Sequence, residues 1–285
     1  MPPPPMTQND AISADVEALI AENTENFPVG SRLIPRDCRP HVMAFYLFAR
    51  SADDVADSAT LSAEEKISQL RVVQSALGED ESALPGWAQP YHRSLVSSGK
   101  TPRYGRDLLT AFIQDATKDR YADWEELIDY CMHSAATVGR VMLDIHGEEN
   151  ADFEGSDALC NALQVLNHLQ DCKKDYEALG RVYLPEPWLQ AEGGGVEDLS
   201  ADKASPAVRR VLDRCLDGTD ALLRRAERMP PSVRRRGLRW ESAIILQLAR
   251  ALSARLRVED PVAGRVKVSK AGWLWCSTKG ILRTW

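Results

Sequence analysis

Two widely separated stretches of this chain, FYLFARSADDVAD and LQVLNHLQDCKKDY, repeat apolar residues at helical spacing and then run into carboxylates. The first carries Asp53, Asp54 and Asp57; the second carries Asn167, Asp171 and Asp175. Asp53 and Asp57 are four residues apart and so share one helical face, as do Asn167, Asp171 and Asp175. Asp54 lies about 100° round from Asp53. Steps of four drift about 40° each, so the second ladder spans roughly 12 Å, enough for more than one ion. Like charges at this spacing cost an isolated helix about 0.2–0.5 kcal/mol per pair. Two such clusters facing one cavity raise each other's proton affinity. Magnesium relieves that repulsion, since it takes oxygen ligands and bridges carboxylate to phosphate; Asn167 fits beside Asp171 as a neutral oxygen ligand. The plainer alternative is a pair of solvated helix faces. The apolar residues, aromatics and arginines beside both clusters speak against it.

The rest of the pattern is helical. Ser13 is a candidate N-cap for a stretch carrying Val16, Leu19 and Ile20, which Pro28, Gly30 and Pro35 interrupt. A long helix comes next, with Val42, Phe45, Tyr46, Phe48 and Ala49 ahead of the first cluster. Ser62 and Glu65 form a capping box, Pro102 suits a first turn, and Asp123 can cap a helix that buries Leu127, Ile128, Cys131, Ala135, Val138 and Met142. The second ladder is predicted to lie on one helix, 155–176. Two arginine-rich amphipathic helices are predicted at 206–227 and 232–258, separated by Pro230 and Pro231, and a last short helix at 269–282. Strand signals are nearly absent, so the expected class is all-α. Residues 1–12, with their Pro2–Pro5 run, are expected to form a mobile tail and residues 13–285 one domain.

A net charge of −7 argues against nucleic acid as a partner. It does not argue against a diphosphate, because bound magnesium inverts the local charge. The six cysteines lack zinc or disulfide-scaffold spacing and read as reduced thiols. The start, MPPPPMTQND, lacks a basic region followed by an apolar run, and no apolar stretch reaches the roughly 20 residues of a membrane span. The expected location is therefore cytoplasmic, with peripheral contact at the inner membrane left open. The arginine-rich helices are candidates for that contact; their bland role is a solvated face with local acidic pairing. Arg50, beside the first cluster, can clamp a phosphate or pair with an acidic side chain. Arg181, opening RVYLP after the second ladder, can close over a phosphate. There is no GxGxxG, P-loop or GxSxG element and no zinc-like histidine spacing. A non-enzymatic alternative is a helical module that offers its arginine-rich half to an acidic partner.

FYLFARSADDVAD, YCMHSAATVG, ALQVLNHLQDCKKDY and GRVYLP, in this order and at these separations, resemble the squalene and phytoene synthase family. The resemblance implies an all-α isoprenoid-synthase bundle around a central hydrophobic cavity. It implies magnesium held at Asp53, Asp57, Asn167, Asp171 and Asp175, with the four carboxylates as the catalytic set. It also implies Arg50 and Arg181 in the diphosphate region and Phe27, Tyr46 and Gln164 around the cavity. Within the family, ENFPVGSRLIP, the SA of YCMHSA, NHLQD and GRVYLP look most like the branch of bacterial hopanoid synthesis that forms hydroxysqualene. That branch takes presqualene diphosphate, expels diphosphate and adds water. A presqualene diphosphate synthase and a flavin-dependent reductase act before and after it. Met132 and His133 depart from the aromatic that family members commonly place there, which weakens a reading as an ordinary squalene or phytoene synthase. Head-to-head condensation of two farnesyl diphosphates is the alternative chemistry.

Overall fold

The computed structural model describes residues 33–283, and every regular element among them is helical. The proposed tail, the Ser13-capped stretch, Phe27 and Trp285 lie outside the described residues. In chain order the principal helices are α1 (Arg39–Ala56), α2 (Ala63–Ala76), α3 (Gln89–Ser98), α4 (Arg103–Asp115), α5 (Trp124–Cys131) and α6 (Thr137–Ile145). They continue as α7 (Phe153–Gln170), α8 (Cys172–Leu179), α9 (Glu186–Ala191), α10 (Pro206–Arg225), α11 (Met229–Ser232), α12 (Arg236–Leu256) and α13 (Lys270–Leu282).

Local chemistry sets many of these boundaries. Ser62 and Glu65 close both halves of the capping box on α2. Asp123, Asp152, Ser205 and Ser269 each accept a backbone N–H at the start of α5, α7, α10 and α13. Pro230 and Pro231 do not form a plain break. They occupy the first turn of the short α11, where a missing N–H costs nothing.

One apolar cluster joins α1 to α4 through Phe45, Phe48, Leu70, Tyr91 and Leu108. A larger one joins α5, α7, α10 and α12 through Leu127, Leu166, Leu212 and Leu246. The segment between α5 and α6 packs against both α4 and α7. There Met132–Ala136 winds as a π turn, with the Thr137 hydroxyl donating to the His133 carbonyl at 2.6 Å. The extra residue of a π turn shifts the phase of the helix beyond it. Leu127, Cys131 and Ala135 are buried as expected, but Val138 is 36% exposed, and Thr137 and Val141 take the inward positions. All six cysteines are free thiols, five of them buried. Among the described residues no helix is long and apolar enough to cross a membrane.

Candidate active site

Two helical stripes frame the site. On α1 the stripe is Tyr46, Arg50, Asp53 and Asp57; on α7 and α8 it is Gln164, Asn167, Asp171 and Asp175. Tyr46, Gln164 and Asn167 are half-buried, as are Asp53, Asp171 and Asp175. Arg50, Asp54 and Asp57 face solvent. The second ladder is not on one continuous helix. Asp171, at φ −102° and ψ 12°, ends α7 and begins α8. The four-residue spacing survives the break, because Asp171 N–H donates to the Asn167 carbonyl at 2.9 Å and Asp175 N–H to the Asp171 carbonyl at 2.8 Å.

Arg181 joins the two stripes. Gly180 closes α8 at φ +66°, a conformation natural to glycine, and the Arg181 N–H turns back onto the Asp175 carbonyl at 3.2 Å. Its guanidinium, with the side chain only 11% exposed, then reaches across the site. Nη2 donates to Asp57 Oδ1 at 3.4 Å and to the Asp115 carbonyl at 3.2 Å, and Nη1 donates to the Tyr183 hydroxyl at 3.4 Å. Arg50 is paired on the outside of α1, at 3.1 Å from Asp53 and 3.2 Å from Asp54. Arg265 lies 3.6 Å from Asp171.

The field in this region is strongly anionic. Burial, and then the Asp57 carboxylate, push Asp53 up to about 6 against the pull of Arg50 and Arg181. Burial and Asp171 push Asp175 up to about 6, with Asp57 of the other ladder adding to the shift. Asp115 is also raised to about 6 by burial, opposed by Arg181 and by the Tyr130 hydroxyl, which donates to it at 3.0 Å. The carboxylates of both helices and Asp115 thus share one electrostatic environment around Arg181. Beneath them lies a buried aromatic layer. Tyr183 stacks on His168 with centroids 3.4 Å apart and lies 5.7 Å from Tyr121 and 6.0 Å from Tyr130. Burial lowers His168 to about 3, so its imidazole is neutral. Next to Asp57, Asp115 and Arg181 opens a polar cavity of about 280 Å³, which Lys66, Lys118 and Leu179 also line.

The donor set suits magnesium. It consists of oxygen ligands, and the upward shifts of Asp53 and Asp175 record charge that a divalent cation would neutralise. Among the described residues no three acidic, cysteine or histidine side chains already converge on a single cation position. That arrangement is compatible with magnesium, which usually keeps waters and takes one or two carboxylates plus substrate phosphates. Sequence reasoning missed Asp115, Arg265 and the aromatic layer. Asp115 ends a periodic stretch, Asp119 four residues on lies beyond the helix, and only the fold half-buries Asp115.

The arginine-rich helices are neutralised in part, with Arg214, Arg224, Arg225, Arg236 and Arg239 forming no ion pair among the described residues. Arg209 pairs with Asp213, Arg210 with Glu192, Arg228 with Asp152 and Glu154, Arg250 with Glu227, and Arg257 with Asp217 and Asp220.

The squalene/phytoene synthase family model matches residues 20–272. The hydroxysqualene synthase of Rhodopseudomonas palustris is 43% identical over 242 residues, covering 85% of this chain and 82% of that protein. The hydroxysqualene synthase of Zymomonas mobilis is 39% identical over 267 residues, covering 93% and 90%. Among solved structures, squalene synthase HpnC from Alicyclobacillus acidocaldarius superposes with a TM-score of 0.70 at 30% identity, over 87% of this chain and 94% of that one. A dehydrosqualene synthase superposes with a TM-score of 0.74 at 21% identity, over 96% and 98%, a likeness of fold.

Proposed function

Because the chain belongs to the squalene/phytoene synthase family, we propose that it converts presqualene diphosphate to hydroxysqualene and diphosphate. The observation that carries this reading is Arg181, which ties the α1 ladder to the end of the α8 ladder at Asp57 and leaves carboxylates of both helices in one field. Such a site holds a diphosphate by its charge and leaves the hydrocarbon to apolar surroundings.

In the proposed reaction the carbon–oxygen bond to the diphosphate breaks and the electron pair leaves with the phosphate. Developing negative charge on a leaving group needs fixed positive charge more than a protonating acid. Arg181 supplies it. The neighbouring carboxylates and the Tyr183 hydroxyl hold the guanidinium in a protonated and oriented form. Asp53, Asp57, Asn167, Asp171 and Asp175 are the residues that would hold magnesium, which when bound supplies Lewis-acid withdrawal of charge from the diphosphate. Tyr46 and Gln164, one turn back on each stripe, border the hydrocarbon. The resulting cyclopropylcarbinyl cation rearranges to an allylic cation. A water oxygen forms the new carbon–oxygen bond, and its proton passes to solvent or to the departed diphosphate. On this reading a presqualene diphosphate synthase supplies the substrate and a flavin-dependent reductase consumes the alcohol.

The likeness to the Alicyclobacillus squalene synthase favours a second reading, in which two farnesyl diphosphates condense head to head. Purified protein incubated with magnesium and either presqualene diphosphate or farnesyl diphosphate, with products identified by mass, separates the two. Hydroxysqualene from the first substrate is expected. Presqualene diphosphate from the second, with no turnover of the first, overturns the leading reading.

A further inference from the structure

The outer face of α13 is unlike the rest of the surface. Inward, α13 packs on α12 through Cys276, Ser277 and Gly280. The contact at Gly280 is backbone to backbone, since a Cβ there would meet Ala243 and Ile244 at 2.9 Å. That fixes which side is buried. The opposite side is also apolar. Leu274 is 66% exposed, Trp275 69% and Leu282 70%, while Trp273, a turn before Cys276 and Ser277 on the inward side, is 42% exposed. Leu274, Thr278 and Leu282 repeat at intervals of four, so they form a continuous stripe with Trp275 beside it. A surface helix ordinarily turns polar residues outward; this one carries apolar residues on both faces.

Charge identifies the partner. Residues 264–285 contain Arg265, Lys267, Lys270, Lys279 and Arg283 and no Asp or Glu. Arg265 is engaged with Asp171. Lys267, Lys270, Lys279 and Arg283 are exposed, and among the described residues none of them forms an ion pair. On the helical wheel Lys270, Lys279 and Arg283 flank the apolar stripe. The arginines of α10 and α12, by contrast, border no large exposed apolar residue on those helices, and four of them, Arg209, Arg210, Arg250 and Arg255, are paired with carboxylates. Exposed indole and leucine bordered by unmatched cations suit an anionic bilayer: the rings enter the interface and the ammonium groups meet lipid phosphates. We propose that the outward face of α13 is a docking surface for an anionic lipid membrane. The peripheral contact left open for the arginine-rich helices is thereby assigned to the helix that comes after them. The segment leading into α13 also touches the second ladder, through Arg265 on Asp171 and through the Gln170 side chain on the Val266 carbonyl. A bilayer held by α13 is therefore linked by a short stretch of chain to the carboxylate site, a useful placement for an insoluble hydrocarbon.

The test is co-sedimentation of the full chain with vesicles of equal parts phosphatidylglycerol and phosphatidylcholine, and with phosphatidylcholine alone. Sedimentation with the anionic vesicles, weakening as salt is raised, is expected. The double variant Leu274→Ser, Trp275→Ser should lose most of it. Lys270→Ala and Lys279→Ala, which leave the apolar packing intact, should each weaken it about fivefold. Asp53→Asn should bind vesicles like the parent, which separates this surface from the proposed chemistry. The assignment is overturned if the parent does not sediment with anionic vesicles, or if the variants sediment equally well. A dimer in light scattering that the double variant dissolves, without vesicle binding by the parent, would instead assign the face to a second copy of the chain.

Discussion

The two carboxylate ladders meet the same arginine but stand on opposite electrostatic ground. Asp53 and Asp57 occupy the C-terminal end of α1, whose last turn carries no basic residue. A carboxylate at that negative helix end loses about 0.3–1 kcal/mol. Asp175 lies in the first turn of α8, at the positive end, where the same dipole favours it. Yet Asp53 and Asp175 are both raised to about 6. Burial and neighbouring carboxylates therefore outweigh helix position in setting proton affinity. Each ladder also meets a cation from elsewhere in the chain. The first ladder obtains one from Arg181, far along the chain. The second, with α8 behind it, is met at its outer end by Arg265.

If both ladders serve one diphosphate, breaking either should cost a similar amount. Asp53→Asn, Asp171→Asn and Asp175→Asn are each expected to lower turnover of presqualene diphosphate by about a hundredfold or more, the scale of losing a main electrostatic contact to a developing charge. Helix content by circular dichroism should not change. Steady-state diphosphate release across a magnesium titration measures the effect. Full turnover in all three variants would remove the metal assignment. Full turnover in Asp175→Asn alone would reduce the second ladder to a solvated face.

The arginines should be unequal where the ladders are equal. Arg181→Lys keeps the charge but cannot reach Asp57, the Asp115 carbonyl and the Tyr183 hydroxyl together. A misplaced cation at a reacting centre costs up to about a hundredfold in rate. Arg50→Lys alters only exposed pairs, which contribute about 0–1 kcal/mol. The kcat ratio of the two variants tests this. A larger loss in Arg50→Lys would make the α1 side, rather than Arg181, the diphosphate clamp.

What the sequence disclosed of this arrangement was local. The Ser62–Glu65 box, the Asp123 cap and the four-residue spacings are short-range facts of helix geometry, and each is found in place. The end of α8 at Gly180 obeys the same logic, so Arg181 was visible as a residue after a helix. Its partner was not, because the Asp57 contact joins residues 124 apart in the chain that only the tertiary fold brings together. The burial of Asp115 is tertiary for the same reason. The turn of phase that leaves Val138 exposed and buries Val141 arises from a single extra residue in the Met132–Ala136 winding, and a hydrophobic pattern read at constant period passes over it. The continuous helix expected through Asp171 was wrong in the same way. Local spacing continues across the break while the helix itself does not.

Stability offers a finer probe of the comparison. A half-buried carboxylate among like charges costs the fold something. Asp53→Asn should therefore raise the melting temperature in the presence of a chelator while it abolishes turnover. Asp57→Asn should fail to raise it, because removing that partner weakens the compensation of the largely buried Arg181. For a chain of this size each kcal/mol shifts the midpoint by about 2–4 °C. Scanning calorimetry of the two variants measures the difference. Equal gains would mean that the Arg181–Asp57 contact contributes nothing to the fold.

The smallest effect separates the ladders from ordinary acid unfolding. His146 lies outside both. Its Nδ1 meets the Met142 carbonyl at 2.8 Å, and its buried Nε2 has no partner. Burial, aided by Arg235, holds its imidazole below the ordinary range, while the Met142 contact, Glu148 and Asp37 oppose the shift. Because the folded state disfavours the proton, the unfolded chain binds it first as the pH falls below about 6.5. The stability that His146 contributes is present above that pH and lost on acidification. The carboxylates raised to about 6 act in the other sense, since they hold protons in the fold that the unfolded chain has released, and their cost grows as the pH rises through that window. His146→Gln, which cannot take up a proton, should flatten the acid side of the melting-temperature profile by about a degree or two and leave the neutral side unchanged. Asp53→Asn should do the reverse, gaining most above pH 6. A parallel shift of the two profiles would show that neither group titrates with folding, and the electrostatic contrast between the ladders and the surrounding core would fall with it.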